Sequence, residues 1–276
     1  MKFFALLLKF LDAQMPTPQP YGWFHLLWFF LSVAAAVALC IYHKRHKSNP
    51  RLVVLFTTLA VILLEIYKQI NYSFSYENGI SFDYQWYIFP FQFCSTPMYA
   101  GLLMGLCKKG RLHEAAAAYT ATFSLFAGAA VMFYPTTVFI GTIGINIQTM
   151  VCHGSMIFLG IYLLATEYVP LRHKSILRAL PLFAVFLSIA AVLNEIAHKS
   201  GLLERESFNM FFISPHQDPH LPVYSIVQQH VPYPFCLILY IIGFTAAAYL
   251  ILLLAMLCKK LFSKKETTKK KEVATV

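Results

Sequence analysis

The segment FCLILYIIGFTAAAYLILLLAMLC, Phe235–Cys258, holds 24 residues and no charge. As an α-helix it rises about 1.5 Å per residue, roughly 36 Å in all. A bilayer's hydrocarbon core is about 30 Å thick. Strand or loop backbone would leave peptide groups unpartnered in lipid, so a helix is the element that can cross here. The same reading repeats upstream, at Trp23–Tyr42, Leu52–Tyr67, Trp86–Cys107, Ala115–Tyr134, Gln148–Thr166 and Ile176–Ala197. The expectation is an all-α, polytopic membrane bundle of seven transmembrane helices. It occupies residues 23–258, after an interfacial segment (1–22) and before a basic tail (259–276).

Composition agrees with this reading. Hydrophobic residues make up 58% and charged residues 12%, against about 25% charged in soluble domains. The net charge of +10 is spread over short loops and the tail. No basic domain results, which argues against nucleic acid and for anionic lipid headgroups as the tail's partner. With seven spans, 17 of the 22 Lys and Arg fall on one side. The positive-inside bias then places the N-terminus outside and the C-terminus in the cytoplasm of a multi-pass cell-membrane protein. Six cysteines without a CxxC pair do not form a secreted disulfide framework.

Polar groups inside spans are costly and mark functional positions. Helix rise places Gln92 and Cys94 about 9–12 Å, and His153 about 8 Å, below the outer face. Glu65, Asn194 and Glu195 lie near the outer ends of their spans. Glu65 can pair with Lys68, and Glu195 with Lys199, at helical spacing. Gly154 and Ser155 beside His153 allow close helix approach. A thiol needs deprotonation to attack a carbonyl, and a neighbouring imidazole can take the proton. Cys94 and His153 are the candidate pair, with Asn194, Glu65 or Glu195 to orient the ring. Cys152 points about 100° away from His153 and is the weaker partner. At this depth the electrophile is a lipid acyl ester. Gln92 can line a wall, and Asn209 and Ser214, in the long 198–234 connection, can donate to a carbonyl oxygen or headgroup. The many prolines of that connection argue against a regular helix in it.

His216 and His220 are four apart with Asp218 between, but Pro215 and Pro219 break the helix that would align them. No zinc signature, P-loop or dinucleotide fingerprint is present, so neither metal nor cofactor is expected.

Three blocks carry a resemblance: FPFQFCSTPMY at Phe89–Tyr99, VCHGSMIFLG at Val151–Gly160, and FNMFFISP at Phe208–Pro215 followed by PYPF. Together they resemble the bacterial YwaF-type integral membrane family, which is similar to the transmembrane protein 164 group. The resemblance implies a membrane acyltransferase acting on phospholipid acyl chains. Cys94 would form the acyl-enzyme, His153 would be the base and Asn209 a third polar participant. Phospholipids or lysophospholipids would be the partners. The group's cysteine directly follows a proline, whereas Cys94 stands four residues after Pro90. A more distant group of lipid hydrolases uses threonine and histidine, which makes Thr96 or Ser95 alternative nucleophiles. Two other classes stay open: a small-solute transporter lined by these polar groups, and a scaffold or receptor in which they only join helices.

Overall fold

A computed structural model describes residues 2–77, 79–135, 138–217 and 221–274. Ten α-helices are found among them: α1 (Lys2–Leu11), α2 (Trp23–His46), α3 (Pro50–Ser73), α4 (Thr96–Leu106), α5 (Arg111–Tyr119), α6 (Leu125–Phe133), α7 (Ile143–Ala165), α8 (Lys174–Lys199), α9 (Pro222–His230) and α10 (Tyr233–Ala274). A π turn, Thr120–Ser124, joins α5 to α6, making one continuous rod Arg111–Phe133. Six helices are thus long and apolar enough to cross a bilayer: α2, α3, the α5–α6 rod, α7, α8 and α10. The protein is a multi-pass membrane protein.

The expected count of seven is corrected to six. The third stretch, Trp86–Cys107, is not one helix. It opens with a 3-10 turn, Trp86–Ile88, runs irregularly to Ser95, and becomes α4 for 11 residues. Pro90 explains the break. A residue before proline is pushed out of the α region, and Phe89 has φ −46, ψ 131. Pro97 falls in the first turn of α4, where a missing N–H is harmless.

This broken segment still runs the length of α3. At one end Arg51 donates from Nε to the Gly105 carbonyl at 2.7 Å. At the other, Gln69 Nε2 donates to the Ile88 carbonyl at 3.0 Å. Close packing follows from small residues. A Cβ on Gly101 would collide with the Thr58 side chain, and one on Gly105 would meet Leu55 at 2.7 Å. Gly128 of α6 likewise lies against the His153 carbonyl of α7.

Other boundaries shift outward from the apolar runs. Asn49 starts α3, its Oδ1 accepting from the Arg51 N–H at 3.1 Å, with Pro50 at the first position as helix starts favour. α3 then continues to Ser73, so Glu65 lies eight residues before its end. The 198–234 connection is also less irregular than its prolines suggested. It contains α9, because Pro222 sits in that helix's first turn.

The core is aromatic. Phe123 and Phe183 stack at 4.5 Å, and Tyr240 and Phe244 at 4.1 Å. Phe93, from the broken segment, meets Phe183, Phe211 and Phe244.

Replacing Gly101 by Val should force α4 off α3 and cost about 1–3 kcal/mol as overpacking does. Gly243, whose Cβ would meet nothing within 4 Å, should accept Ala without loss. Thermal midpoints of the two variants in detergent check the contrast. Equal midpoints would mean the α3–α4 contact is not as close as described.

Candidate functional site

The break between Ile88 and Thr96 decides where Cys94 points. Ser95 and Thr96 turn back on the Gln92 carbonyl at 2.8 and 3.2 Å. Thr96 Oγ1 donates to the Phe93 carbonyl at 2.7 Å and lies 2.5 Å from the Tyr119 hydroxyl. Thr96 is therefore occupied as a brace. Cys94 stands just before the amino end of α4, where a helix dipole favours developing negative charge.

Cys94 lines a small interior cavity of about 30 Å³, room for about one water. Its walls include Glu65 and Thr58 of α3, Ser124 of the π turn, and Cys152 and Ser155 of α7. π turns are rare and recur at functional sites. A second space lies beside it, an apolar groove of about 520 Å³ along α3 and α4. Ile62, Ile66, Pro90, Tyr99 and Leu102 line the groove. Glu65 and Met98 border both spaces.

Glu65 is buried, with 8% exposure, but it is not isolated. Lys68 Nζ lies 2.8 Å from Oε1, Gln69 Nε2 donates to the same oxygen at 2.7 Å, and Gln148 Nε2 reaches Oε2 at 3.3 Å. A buried carboxylate needs such partners to stay charged.

His153 is buried on α7. Its Nδ1 lies 2.7 Å from the Thr149 carbonyl. Since a carbonyl only accepts, Nδ1 carries the proton and Nε2 is the basic nitrogen. Nε2 has no hydrogen-bond partner among the described residues. His153 does not line the Cys94 cavity, whereas its chain neighbour Cys152 does.

The remaining candidates form a clamp. Gln92 donates from Nε2 to the Asn209 carbonyl at 2.8 Å and accepts from the Phe211 N–H at 2.9 Å. Asn194, fully buried, does the same with Met210, at 3.0 and 2.7 Å. Tyr240 donates its hydroxyl to the Phe211 carbonyl at 3.1 Å. The clamped backbone is strained: Phe211 has φ 58 and Phe212 φ 55, a region that bulky residues rarely enter. Asn209 Oδ1 accepts from the Ser214 N–H at 2.8 Å, while its Nδ2 is buried without a partner among the described residues. Ser214 accepts from the His216 N–H and the Gln228 amide. Glu195 lies at the rim, 2.9 Å from His216 Nε2, and His216 stacks on His198 at 3.6 Å.

The structure thus brings Cys94 and Glu65 to one cavity, and Gln92, Asn194, Asn209 and Ser214 to one loop. Sequence reasoning passed over Ser124, ranked Cys152 as the weaker partner, and read Ser155 only as a packing residue. The polar pair Thr120 and Ser124, four apart in an apolar helix, was the available signal for the π turn. Nothing in the sequence pointed to Gln148 as a partner of Glu65. Asp218 and His220 lie outside the described residues. Among the described residues, no group of three or more His, Cys, Asp or Glu is placed to hold a metal ion.

A broken apolar segment, a thiol on a small interior cavity and an adjacent apolar groove sit within the bundle of a polytopic membrane protein. The chain belongs to the TMEM164 family, whose sequence model matches residues 19–257. No curated protein and no solved structure matches it.

Removing the Asn194 amide should leave the Met210 N–H and carbonyl unpaired in the core. Each such loss costs about 1–3 kcal/mol, so Asn194→Ala should lower the thermal midpoint by several degrees. Glu195→Gln, at the rim, should leave it nearly unchanged. A midpoint for Asn194→Ala equal to the parent's would show that the clamp does not hold the loop.

Proposed function

We propose that the protein is a phospholipid acyltransferase that works through an acyl-Cys94 thioester. One observation carries the reading: the thiol's polar cavity and the apolar α3–α4 groove share Met98 and Glu65 as a common wall. An acyl chain lying in the groove would bring its ester carbonyl to that wall. Met98 is the flexible part of it, since methionine repacks readily. Family membership supports a lipid substrate. The resemblance of Phe89–Tyr99 to the YwaF-type segment supports the finer placement among bacterial members.

In the first half-reaction the Cys94 thiolate attacks the ester carbonyl. The carbonyl–oxygen bond breaks, the acyl group stays on sulfur, and the lysophospholipid leaves with the thiol's proton. In the second half-reaction the hydroxyl of another lysophospholipid gives its proton to the base and attacks the thioester, the carbonyl–sulfur bond breaks, and the departing thiolate takes that proton back. His153 is the base, because the Thr149 carbonyl fixes its tautomer and leaves Nε2 open. Its chain neighbour Cys152 lines the Cys94 cavity, which sets the ring on the same stretch of α7. Glu65 has a competing claim as base because it lines the cavity itself, though Lys68 and two amides hold it. Asn209 and Ser214 fix the covering loop, and the unpartnered Asn209 Nδ2 offers a hydrogen bond to substrate. Gln92, Asn194 and Glu195 shape that loop.

The seven basic residues after Leu257 support a cytoplasmic C-terminus, with the tail on anionic lipid. The α10 side chains beyond residue 263 lie outside the described ones. Segment 1–22, with Phe3, Leu6 and Phe10 of α1 exposed, suits the membrane interface.

The test is acyl transfer from labelled phosphatidylcholine to lysophospholipid in reconstituted vesicles. Cys94→Ala should lower transfer by on the order of a thousandfold, and His153→Ala by about a hundredfold or more. Wild type should carry label in a hydroxylamine-sensitive bond that Cys94→Ala lacks. Transfer at the parental rate in Cys94→Ala would end the proposal. A large loss in Glu65→Gln with a normal His153→Ala would move the base to Glu65.

A further inference from the structure

A second cavity, of about 350 Å³, opens where α5 begins, walled by the α7–α8 connection and the first turn of α8. Three cations converge on it from three places: Lys109 before α5, Arg172 in the connection, and Arg178 on α8. One carboxylate, Glu114, faces them, and Arg178 already holds it at 2.9 Å. Lys109 and Arg172 have no ion-pair or side-chain hydrogen-bond partner among the described residues. The cavity therefore carries an uncompensated positive charge of two.

The backbone adds to that charge. α5 begins at Gly110 without a side-chain cap, and Gly110 is part of the wall. The first N–H groups of a helix lack internal partners and carry the positive end of its dipole, an arrangement suited to anions. A helix start alone would not make a site. Here it coincides with three converging side chains on a walled space.

The walls are built rather than loose. His113, buried at the cavity, has its Nε2 2.7 Å from the Tyr168 hydroxyl. Ser175 Oγ donates to the Pro170 carbonyl at 2.5 Å, the Arg172 N–H donates to the same carbonyl at 2.9 Å, and the Ser175 N–H donates to the Arg172 carbonyl at 2.9 Å. The Val169 N–H is tied to the Leu163 carbonyl at 3.2 Å. These bonds fix the connection that presents Arg172, so little ordering remains to be done on binding.

We propose that this cavity binds a phosphate group. Planar guanidinium forks and an open helix start both match tetrahedral phosphate oxygens. The volume exceeds what a bare phosphate fills and leaves room for the group that carries it. The phosphate belongs to a lipid headgroup at this basic end of the bundle or to a soluble phosphate monoester. The site shares no lining residue with the Cys94 cavity or the α3–α4 groove and does not depend on the acyl chemistry of Cys94.

The full-length chain in detergent serves for the soluble arm, with inorganic phosphate and glycerol 3-phosphate measured against chloride at equal ionic strength. In the lipid arm, the chain sits in phosphatidylcholine nanodiscs with or without phosphatidic acid, and retained lipid is counted by native mass spectrometry. Binding is expected in at least one arm, which then names the source. Lys109→Gln/Arg172→Gln should weaken it by roughly tenfold or more, the scale of lost charge-assisted bonds. Lys109→Glu, a single change in a loop, should do so too and guards against misfolding of the double variant. Lys259→Gln/Lys260→Gln, basic residues of α10 outside the cavity, should bind as the parent does. The proposal is overturned if no probe binds above chloride. It is equally overturned if both cavity variants bind within about twofold of the parent, or if the α10 variant loses as much as they do.

Discussion

The Gln92 carboxamide pairs with the backbone of Asn209 and Phe211 as a strand would pair with a neighbouring strand. Much of the structure depends on that interaction. In hydrocarbon, backbone that leaves a helix must find partners within the protein. Two stretches leave helical structure near the same level, Phe89–Ser95 and Asn209–Phe212, and each solves part of the other's problem. Gln92 closes one with the other. Asn194 supplies Met210 on both sides, and Tyr240 takes the remaining Phe211 carbonyl. The aromatic contacts of Phe93 and Phe211 fill the space between. Without this pairing the Phe89–Ser95 stretch would have to be regular helix to satisfy its own backbone, and Cys94 would lie on a different face.

That arrangement separates two kinds of polar residue that the sequence cannot tell apart. Gln92, Asn194 and Glu65 look alike as costly groups in apolar runs. Gln92 and Asn194 spend both ends of their amides on backbone, which makes them structural in the sense of a satisfied network. Among the described residues, Cys94 joins no distant backbone; its thiol has only the local Ser95 side chain and its own backbone as hydrogen-bond partners and faces a cavity. His153 is intermediate, with one nitrogen fixed and the other bare. A reactive group must keep an orbital free, so bonding state discriminates where residue type does not.

The all-α membrane class was legible because charge-free runs such as Phe235–Cys258 permit one solution in lipid. The helix count was not, and the cause is local. Trp86–Cys107 has the hydropathy of a span, but Pro90 removes a backbone donor and biases Phe89 away from the helix, and hydropathy does not register either effect. Glu65 with Lys68 was legible from spacing of three. The Glu195 partner was not, because His216 comes from a loop 21 residues on and displaces the helical neighbour Lys199. Cys152 was set aside on helical angle relative to His153. The angle was a fair guide to the helix, but the cavity lies on the Cys152 side of α7.

The π turn at Thr120–Ser124 links these observations. One extra residue in a helix rotates everything after it, so α6 and α5 present faces that a regular rod could not present together. Tyr119, before the turn, braces Thr96 beside Cys94, while Ser124, at its end, lines the cavity with Cys94. Beyond it, Gly128 admits the α7 backbone at His153. Straightening the turn would carry Ser124 and Gly128 about 100° around the axis. That would separate the wall of the cavity from the helix that carries Cys152 and His153. The strain of a π turn is tolerated in this rod because it lets one helix serve both the thiol segment and the histidine helix.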